Sequence, residues 1–395
     1  MRIHFDHNAT TSLRPEARER WLEVNDQTQG NPSSIHRSGR ERRELIDCAR
    51  EQVAAALGCH EDEVLFTSGG TESNNLALLG SIDRQSPKLG AARLALTPVE
   101  HSAVLETARA LEARGVQLQW IPVDNAGRPQ IPWLLQRCQE HPPALATVMA
   151  ANNELGTLSD LQALGAGLRQ LGERPQLHVD AVQALGRIPI RLDAWGADLA
   201  SFSAHKVGGP AGVGVLFRRK GVSLTPQQHG GGQEAGLRPG TEDVPSIAAA
   251  AVAIELAVAE QAANASKLRS LTRGLWAQLS PLLPQAQLLG PDIDAEDRLP
   301  NTLSILLPGI DGKVSLMRLD LEGLEVSAGS ACASGSIEPS HVLRALGFDD
   351  ALARSAVRLS LSPNNTEREC QQAVDILSTV FGGERAKHDH NVTSP

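Results

Sequence analysis

Short apolar runs ended by glycine or polar residues recur along the chain, with amphipathic stretches between them. Val64-Leu65-Phe66-Thr67 runs into Gly69-Gly70, and Arg93-Leu94-Ala95-Leu96-Thr97 leads to a helical pattern over 103–114. Ala144-Leu145-Ala146-Thr147-Val148-Met149 precedes Asn152-Asn153, Leu177-His178-Val179 ends at Asp180, and Leu199-Ala200-Ser201-Phe202-Ser203 ends at His205-Lys206. Strands that alternate with helices predict an α/β unit whose mostly parallel sheet is covered on both faces. Polar residues gather where these strands end, which is where open α/β sheets bind ligands.

From Pro245 to about Leu283 the pattern turns Ala-rich, with apolar positions such as Ile247, Val252, Leu256, Leu268 and Leu275. Proline suits a first helical turn, so one long helix joining two domains is predicted here. Beyond it, strands over 301–307, 324–327 and 357–361 with helices over 313–320, 342–346 and 367–381 describe a second, α+β unit. The expected division is a large domain over 15–260, a small one built from 1–14 and 261–382, and a disordered polar tail over 383–395.

At 395 residues the chain is longer than one hydrophobic core usually serves, which agrees with two domains. The net charge of -9 argues against a nucleic-acid or anionic-membrane partner, since both need a basic surface. Five cysteines, odd in number and widely spaced (Cys48, Cys59, Cys138, Cys332, Cys370), form no zinc or disulfide framework and point to a reducing compartment. No signal peptide or membrane-length apolar run is visible, so a cytoplasmic protein is expected.

Cys332 lies in Ser327-Ala328-Gly329-Ser330-Ala331-Cys332-Ala333-Ser334-Gly335-Ser336. A packed thiol has bulky apolar neighbours, whereas these small residues give a loop that presents sulfur. The other reading is a buried cysteine on a small-residue helix. Lys206 closes a strand and is followed by small residues that leave room for a planar ligand. A desolvated lysine there is a nucleophilic amine able to form a Schiff base, against the commoner solvated surface lysine. Asp180 either caps the following turn or pairs a protonated pyridine nitrogen. Ser68-Gly69-Gly70-Thr71-Glu72, between strand and helix, is either a capped turn or a phosphate cradle. His101 follows a strand and either serves structure or stacks and shuttles protons. Asn153 and Gln183 satisfy backbone or contact a ring, Thr241 caps a turn or reaches a phosphate, and Arg358 is a surface arginine or a carboxylate clamp. Arg218-Arg219-Lys220 reads as a solvated turn. Together these residues make an imine lysine, a pyridinium carboxylate, a phosphate cradle, a stacking imidazole, a carboxylate clamp and a free thiol.

The motifs Asp6-His7-Asn8-Ala9-Thr10-Thr11, Gly30-Asn31-Pro32-Ser33-Ser34-Ile35-His36, Thr67-Ser68-Gly69-Gly70-Thr71-Glu72, Glu100-His101, Asn152-Asn153-Glu154-Leu155-Gly156 and His178-Val179-Asp180-Ala181-Val182-Gln183 stand in this order. They are followed by Ser203-Ala204-His205-Lys206, Arg238-Pro239-Gly240-Thr241 and the Cys332 segment through Glu338-Pro339-Ser340-His341. In this the chain resembles cysteine desulfurases of the NifS/IscS type, within the class V aminotransferase superfamily. The resemblance implies the fold type I architecture of pyridoxal-phosphate enzymes, aspartate-aminotransferase-like, with a seven-stranded sheet in the large domain. It implies a homodimer that converts L-cysteine to L-alanine and captures sulfur as a persulfide on Cys332 for an acceptor such as an iron–sulfur scaffold protein. Carried over residue by residue, Lys206 holds pyridoxal 5'-phosphate as an aldimine, Asp180 pairs the pyridinium, and His101 stacks and moves protons. Gly70, Thr71, Ser203 and His205 hold phosphate with Thr241 of the other subunit; Asn153 and Gln183 contact ring or substrate; Asn31, Asn153 and Arg358 bind substrate. No stable metal site is implied, only a transient touch of an iron centre by Cys332.

Two departures stand out. Ala211 replaces the lysine of the usual Gly-Pro-Lys-Gly turn, and Ser362 follows Arg358-Leu359-Ser360-Leu361 where glycine is usual. The other readings are a selenocysteine lyase or another class V enzyme using the same lysine and phosphate kit, and a non-catalytic scaffold of the same fold.

Overall fold

The computed structural model describes residues 2–27, 29–85, 92–310, 312–328 and 339–382. Cys332 and the tail over 383–395 therefore lie outside the described residues. The strands in chain order are β1 (Ile3–His4), β2 (Val64–Thr67), β3 (Arg93–Leu96), β4 (Gln117–Trp120), β5 (Leu145–Met149), β6 (Gln176–Asp180), β7 (Leu199–Ser203), β8 (Gly214–Arg218), β9 (Gln287–Leu288), β10 (Thr302–Leu306), β11 (Leu324–Glu325) and β12 (Ala356–Ser360).

Seven of them form one sheet in the order β2-β8-β7-β6-β5-β3-β4. It is parallel throughout except for β8, which runs antiparallel to β2 and β7. Every residue of β5 and β7 is buried, as a sheet covered by helices on both faces requires. Apolar periodicity did not reveal β4 or β8. In β4 two glutamines interrupt an edge strand, and β8 starts on a glycine behind a glycine-rich turn. Arg218, expected in a solvated turn, is the last residue of β8 and half-buried.

The single long helix expected from Pro245 onward is two, Val244–Ala259 and Gln261–Leu279, bent by 68° at the break. The first is rich in small residues and mostly buried, and Asp243 caps it by accepting from the Ser246 amide. The second is amphipathic and turns Leu268, Leu271, Leu275 and Leu279 into a different core, shared with β10, β12 and the helix Glu367–Gly382. The break thus hands the chain from the sheet's core to the core of the antiparallel sheet β12-β10-β9. Among the described residues no single helix is long and apolar enough to cross a membrane.

The N-terminal segment ties these parts together. Phe5 is buried in the second core, and its carbonyl accepts from the Ser360 amide at 2.7 Å. Further on, the Thr11 amide donates to the His205 carbonyl at 3.0 Å and the Arg14 amide to the Gly208 carbonyl at 2.8 Å. Residues 5–14 therefore run from β12 to the turn that carries Lys206.

The helix Leu161–Arg169 packs against the turn at Trp195 through Gly165, where an added Cβ would lie 2.3 Å from the Trp195 carbonyl oxygen. Alanine gains helix propensity at that position, but the neighbour is backbone and cannot move aside cheaply. Gly165→Ala is expected to destabilise the fold by about 2 kcal/mol, read as a lower urea midpoint at unchanged slope. A midpoint equal to wild type would show that the Trp195 turn yields.

Candidate functional site

Parallel strands leave their carboxyl ends facing one side of the sheet, and Asp180, Ser203 and Lys206 lie at or just beyond those ends. Asp180 is the last residue of β6, Ser203 the last of β7, and Lys206 closes the short 3-10 turn Ala204–Lys206 that follows. The helix Gly70–Gln85 begins on Gly70, so the glycine turn expected between strand and helix is the helix's own first turn, with Thr71 next. There the unpaired amides of a helix N-terminus face outward as an anion site.

Lys206 is half-buried, and its Nζ donates to the Asn8 and Ala9 carbonyls, each at 2.7 Å. The solvated-lysine reading is thereby excluded. Asp180 is 4% exposed; one carboxylate oxygen accepts from Asn74 Nδ2 at 2.8 Å and the other from the Val182 amide at 3.1 Å. Among the described residues it has no ion-pair partner. A buried carboxylate in that state has room for a cationic nitrogen. Asn74 Oδ1 beside it is buried without a hydrogen-bond partner.

Arg358, in β12, is 1% exposed, so it is not a surface arginine. It pairs with Asp6 at 2.6 Å and donates to the Asn153 carbonyl at 3.0 Å, while its Nε is unpartnered. His101 N-caps the helix Ser102–Ala113, its Nδ1 accepting from the Ala103 amide at 3.0 Å. The ring proton therefore belongs on Nε2. Gln183 donates to the Asn8 carbonyl at 3.0 Å and accepts from Arg187 at 2.5 Å, so both ends of its amide serve the protein. Asn31 lies elsewhere, exposed in a turn where its own side chain accepts from the Ser33 amide. Thr241 is likewise exposed within the single chain.

Both ends of the segment that carries Cys332 are tied to this site. Ser327 exchanges backbone hydrogen bonds with Arg358, at 3.1 and 2.7 Å. At the other end the Ser340 hydroxyl donates to the buried Glu154 carboxylate, and His341 Nε2 donates to the Glu100 carbonyl at 2.9 Å.

Burial dominates the electrostatics. It pushes His205 down to about 4, helped by the neighbouring charges of Lys206 and Arg187, so the imidazole is neutral at pH 7. Its Nδ1 lies 3.1 Å from the Thr10 hydroxyl. Burial raises Glu100 to about 8 despite the Thr97 hydroxyl and the Met149 amide, which leaves it a neutral acid. Residue typing missed Asp6, Asn8, Asn74 and Arg187. Asp6 and Asn8 stand in a motif that was visible, but they work through a carboxylate on an arginine and a backbone carbonyl.

The donors present suit a phosphorylated pyridine. Gly70 and Thr71 open the helix with Ser203 beside them, and a Cβ at Gly70 would press on Val182 at 2.7 Å and meet the Ser203 side chain at 3.7 Å. Asp180 supplies the acceptor for a ring nitrogen and Lys206 the amine.

The aminotransferase class-V family profile matches residues 3–373. The chain is 40% identical over 379 residues to the cysteine desulfurase IscS of Dictyoglomus turgidum, spanning 96% of this chain and 94% of that one. It superposes on a NifS-like protein with a TM-score of 0.89 at 37% identity, covering 97% of this chain and 100% of the other. It also superposes on SspA in complex with cysteine, with a TM-score of 0.76 at 29% identity over 93% and 100% of the two chains.

His178, buried between the Thr147 and Ser201 hydroxyls, is pushed by burial from 6.5 to about 4. The unfolded chain takes up this proton as pH falls below 6.5, whereas the folded one resists until about 4. Stability from this group is thus complete above pH 6.5 and is lost as pH drops toward 4, with a slope of up to about 1.4 kcal/mol per pH unit. Urea midpoints should fall across that window, and less steeply in His178→Asn. Equal slopes in the two proteins would contradict the assignment.

Proposed function

The chain belongs to the class-V aminotransferase family, among its pyridoxal-phosphate-dependent cysteine desulfurases, and from that premise we propose how its residues take sulfur from L-cysteine. The observation that carries the reading is the meeting of the Lys206 amine and the buried Arg358 guanidinium on residues 6–9, with the buried Asp180 carboxylate at the end of β6, the strand beside the one that leads to Lys206. The names of the relatives favour this substrate over a selenocysteine lyase or another class V reaction. The retained lysine, carboxylate and imidazole speak against a non-catalytic scaffold.

In this reading Lys206 holds the cofactor through Nζ, Asp180 holds its pyridine nitrogen, and the first turn of Gly70–Gln85 with Ser203 and His205 holds its phosphate. When bound, pyridoxal phosphate supplies an electron-withdrawing ring that stabilises negative charge on the amino acid's carbons and so loosens the bond to sulfur. Arg358 receives the substrate carboxylate on guanidinium hydrogens that Asp6 and Asn153 leave available, with Asn153 beside it. Lys206 through Nζ and His101 through Nε2 would hold and move the protons. The Cys332 thiolate attacks the substrate sulfur. A sulfur–sulfur bond forms, the carbon–sulfur bond breaks with its electron pair going to carbon, and protonation there gives L-alanine and a persulfide on Cys332.

The acceptor of that sulfur is proposed to be a protein of iron–sulfur cluster assembly, with any contact between Cys332 and iron transient. The enzyme is proposed to be a cytoplasmic homodimer in which Thr241 reaches the partner's phosphate site and Asn31 completes substrate binding. Its working bodies are proposed to be 15–260 and 1–14 with 261–382.

Cys332→Ala is expected to retain the visible absorption of the bound cofactor while losing protein-bound persulfide, read by intact mass after adding L-cysteine. Lys206→Ala is expected to lose that absorption. Alanine and persulfide formed by Cys332→Ala at the wild-type rate would overturn the assignment of the thiol.

A further inference from the structure

Arg187 lies one helical turn beyond Gln183 and is 6% exposed. Buried guanidinium groups are normally held by carboxylates, because an unpaired charge inside a protein is costly. This one has no carboxylate partner among the described residues. It donates instead to the Gln183 carbonyl at 3.0 Å, to the Gln183 side-chain oxygen at 2.5 Å and to the His7 carbonyl at 3.3 Å. Gln183 in turn donates to the Asn8 carbonyl at 3.0 Å, and that same oxygen accepts from Lys206 Nζ at 2.7 Å. The arginine thus stands two links from the reactive amine and also holds the His7 carbonyl of the turn that receives it.

Burial and the charge of Arg358 lower Arg187 to about 10, still cationic at neutral pH. Its charge also reaches His205 and His7 and helps keep both imidazoles neutral. A buried cation without a counter-ion is a poor stabiliser.

We propose that Arg187 is a positioning residue: by gripping Gln183 and the His7 carbonyl it fixes the Asn8 carbonyl against the Lys206 amine, and it supplies a standing positive charge beside the anion-binding end of the site. The role rests on Lys206 being the amine that takes the cofactor. It belongs to the resting protein and precedes any turnover.

The test traps the amine without catalysis. Cofactor-stripped protein is titrated with pyridoxal phosphate, reduced with borohydride, and the label at Lys206 is quantified by peptide mass; thermal midpoints are measured on the same samples. In Arg187→Met the half-saturating concentration is expected to rise about tenfold, the scale of losing a charge-assisted hydrogen-bond network. Arg187→Lys, which keeps charge and donors, should return most of it. Removing an uncompensated buried cation should leave the melting point of Arg187→Met at or above wild type. Labelling of Arg187→Met equal to wild type overturns the proposal. So does a lower melting point with labelling lost equally in both variants, because that pattern marks a merely structural residue. Absence of label at Lys206 in wild type itself overturns both this role and the reading of Lys206.

Discussion

The structure depends on four residues near the start of the chain. Asp6 pairs with Arg358, the His7 carbonyl takes Arg187, the Asn8 carbonyl takes Lys206 and Gln183, and the Ala9 carbonyl takes Lys206 again. Asn8 adds side-chain bonds to the Asn153 carbonyl and to Thr302. Residues 6–9 form a turn, the Ala9 amide donating to the Asp6 carbonyl at 3.1 Å, and its remaining carbonyls with the Asp6 carboxylate meet three cations whose own elements are far apart in the chain. Residues from β12, from the turn after β6 and from the turn after β7 are thereby held in one register.

The same segment explains why the site tolerates so much buried charge. Arg187, Arg358 and Lys206 meet at this turn, Arg358 on the Asp6 carboxylate and the other two on its carbonyls, while Asp180 accepts from neutral donors. Neutral oxygens solvate Arg187 partway, which is less favourable than ion pairing but leaves its positive potential in the site. Such a site favours ligands that bring negative charge, as a phosphate and an amino acid carboxylate do. Keeping His205 and His7 unprotonated follows first from burial and then from neighbouring charge, that of Arg187 included. The segment carrying Cys332 is tied to this region at both ends, through Ser327 on Arg358 and Ser340 on Glu154, which fits a thiol that serves the same cleft.

Much of this was legible in the sequence, for a physical reason. Ligand sites in parallel sheets fall at strand ends, so Asp180, Ser203 and Lys206 announced themselves by following apolar runs. Arg358 was visible as a candidate, but its burial was not, since only packing decides which face of β12 looks inward. The break at Glu260 escaped notice because an Ala-rich run reads as continuous helix when the two cores that claim its halves are unknown. β4 and β8 were hidden by glutamines at an edge and by a leading glycine. Asp6, Asn8 and Arg187 were missed because their work is done by backbone oxygens or through a second residue, and no residue type signals that.

The most direct test of this account is the KM of Asp6→Asn for L-cysteine at constant pH. If the N-terminal segment holds Arg358 in place to receive the substrate carboxylate, removing the charge of Asp6 should raise KM about tenfold, with kcat changed far less. A KM within about twofold of wild type, in a protein that folds and retains cofactor, would contradict the claim that this segment organises the site.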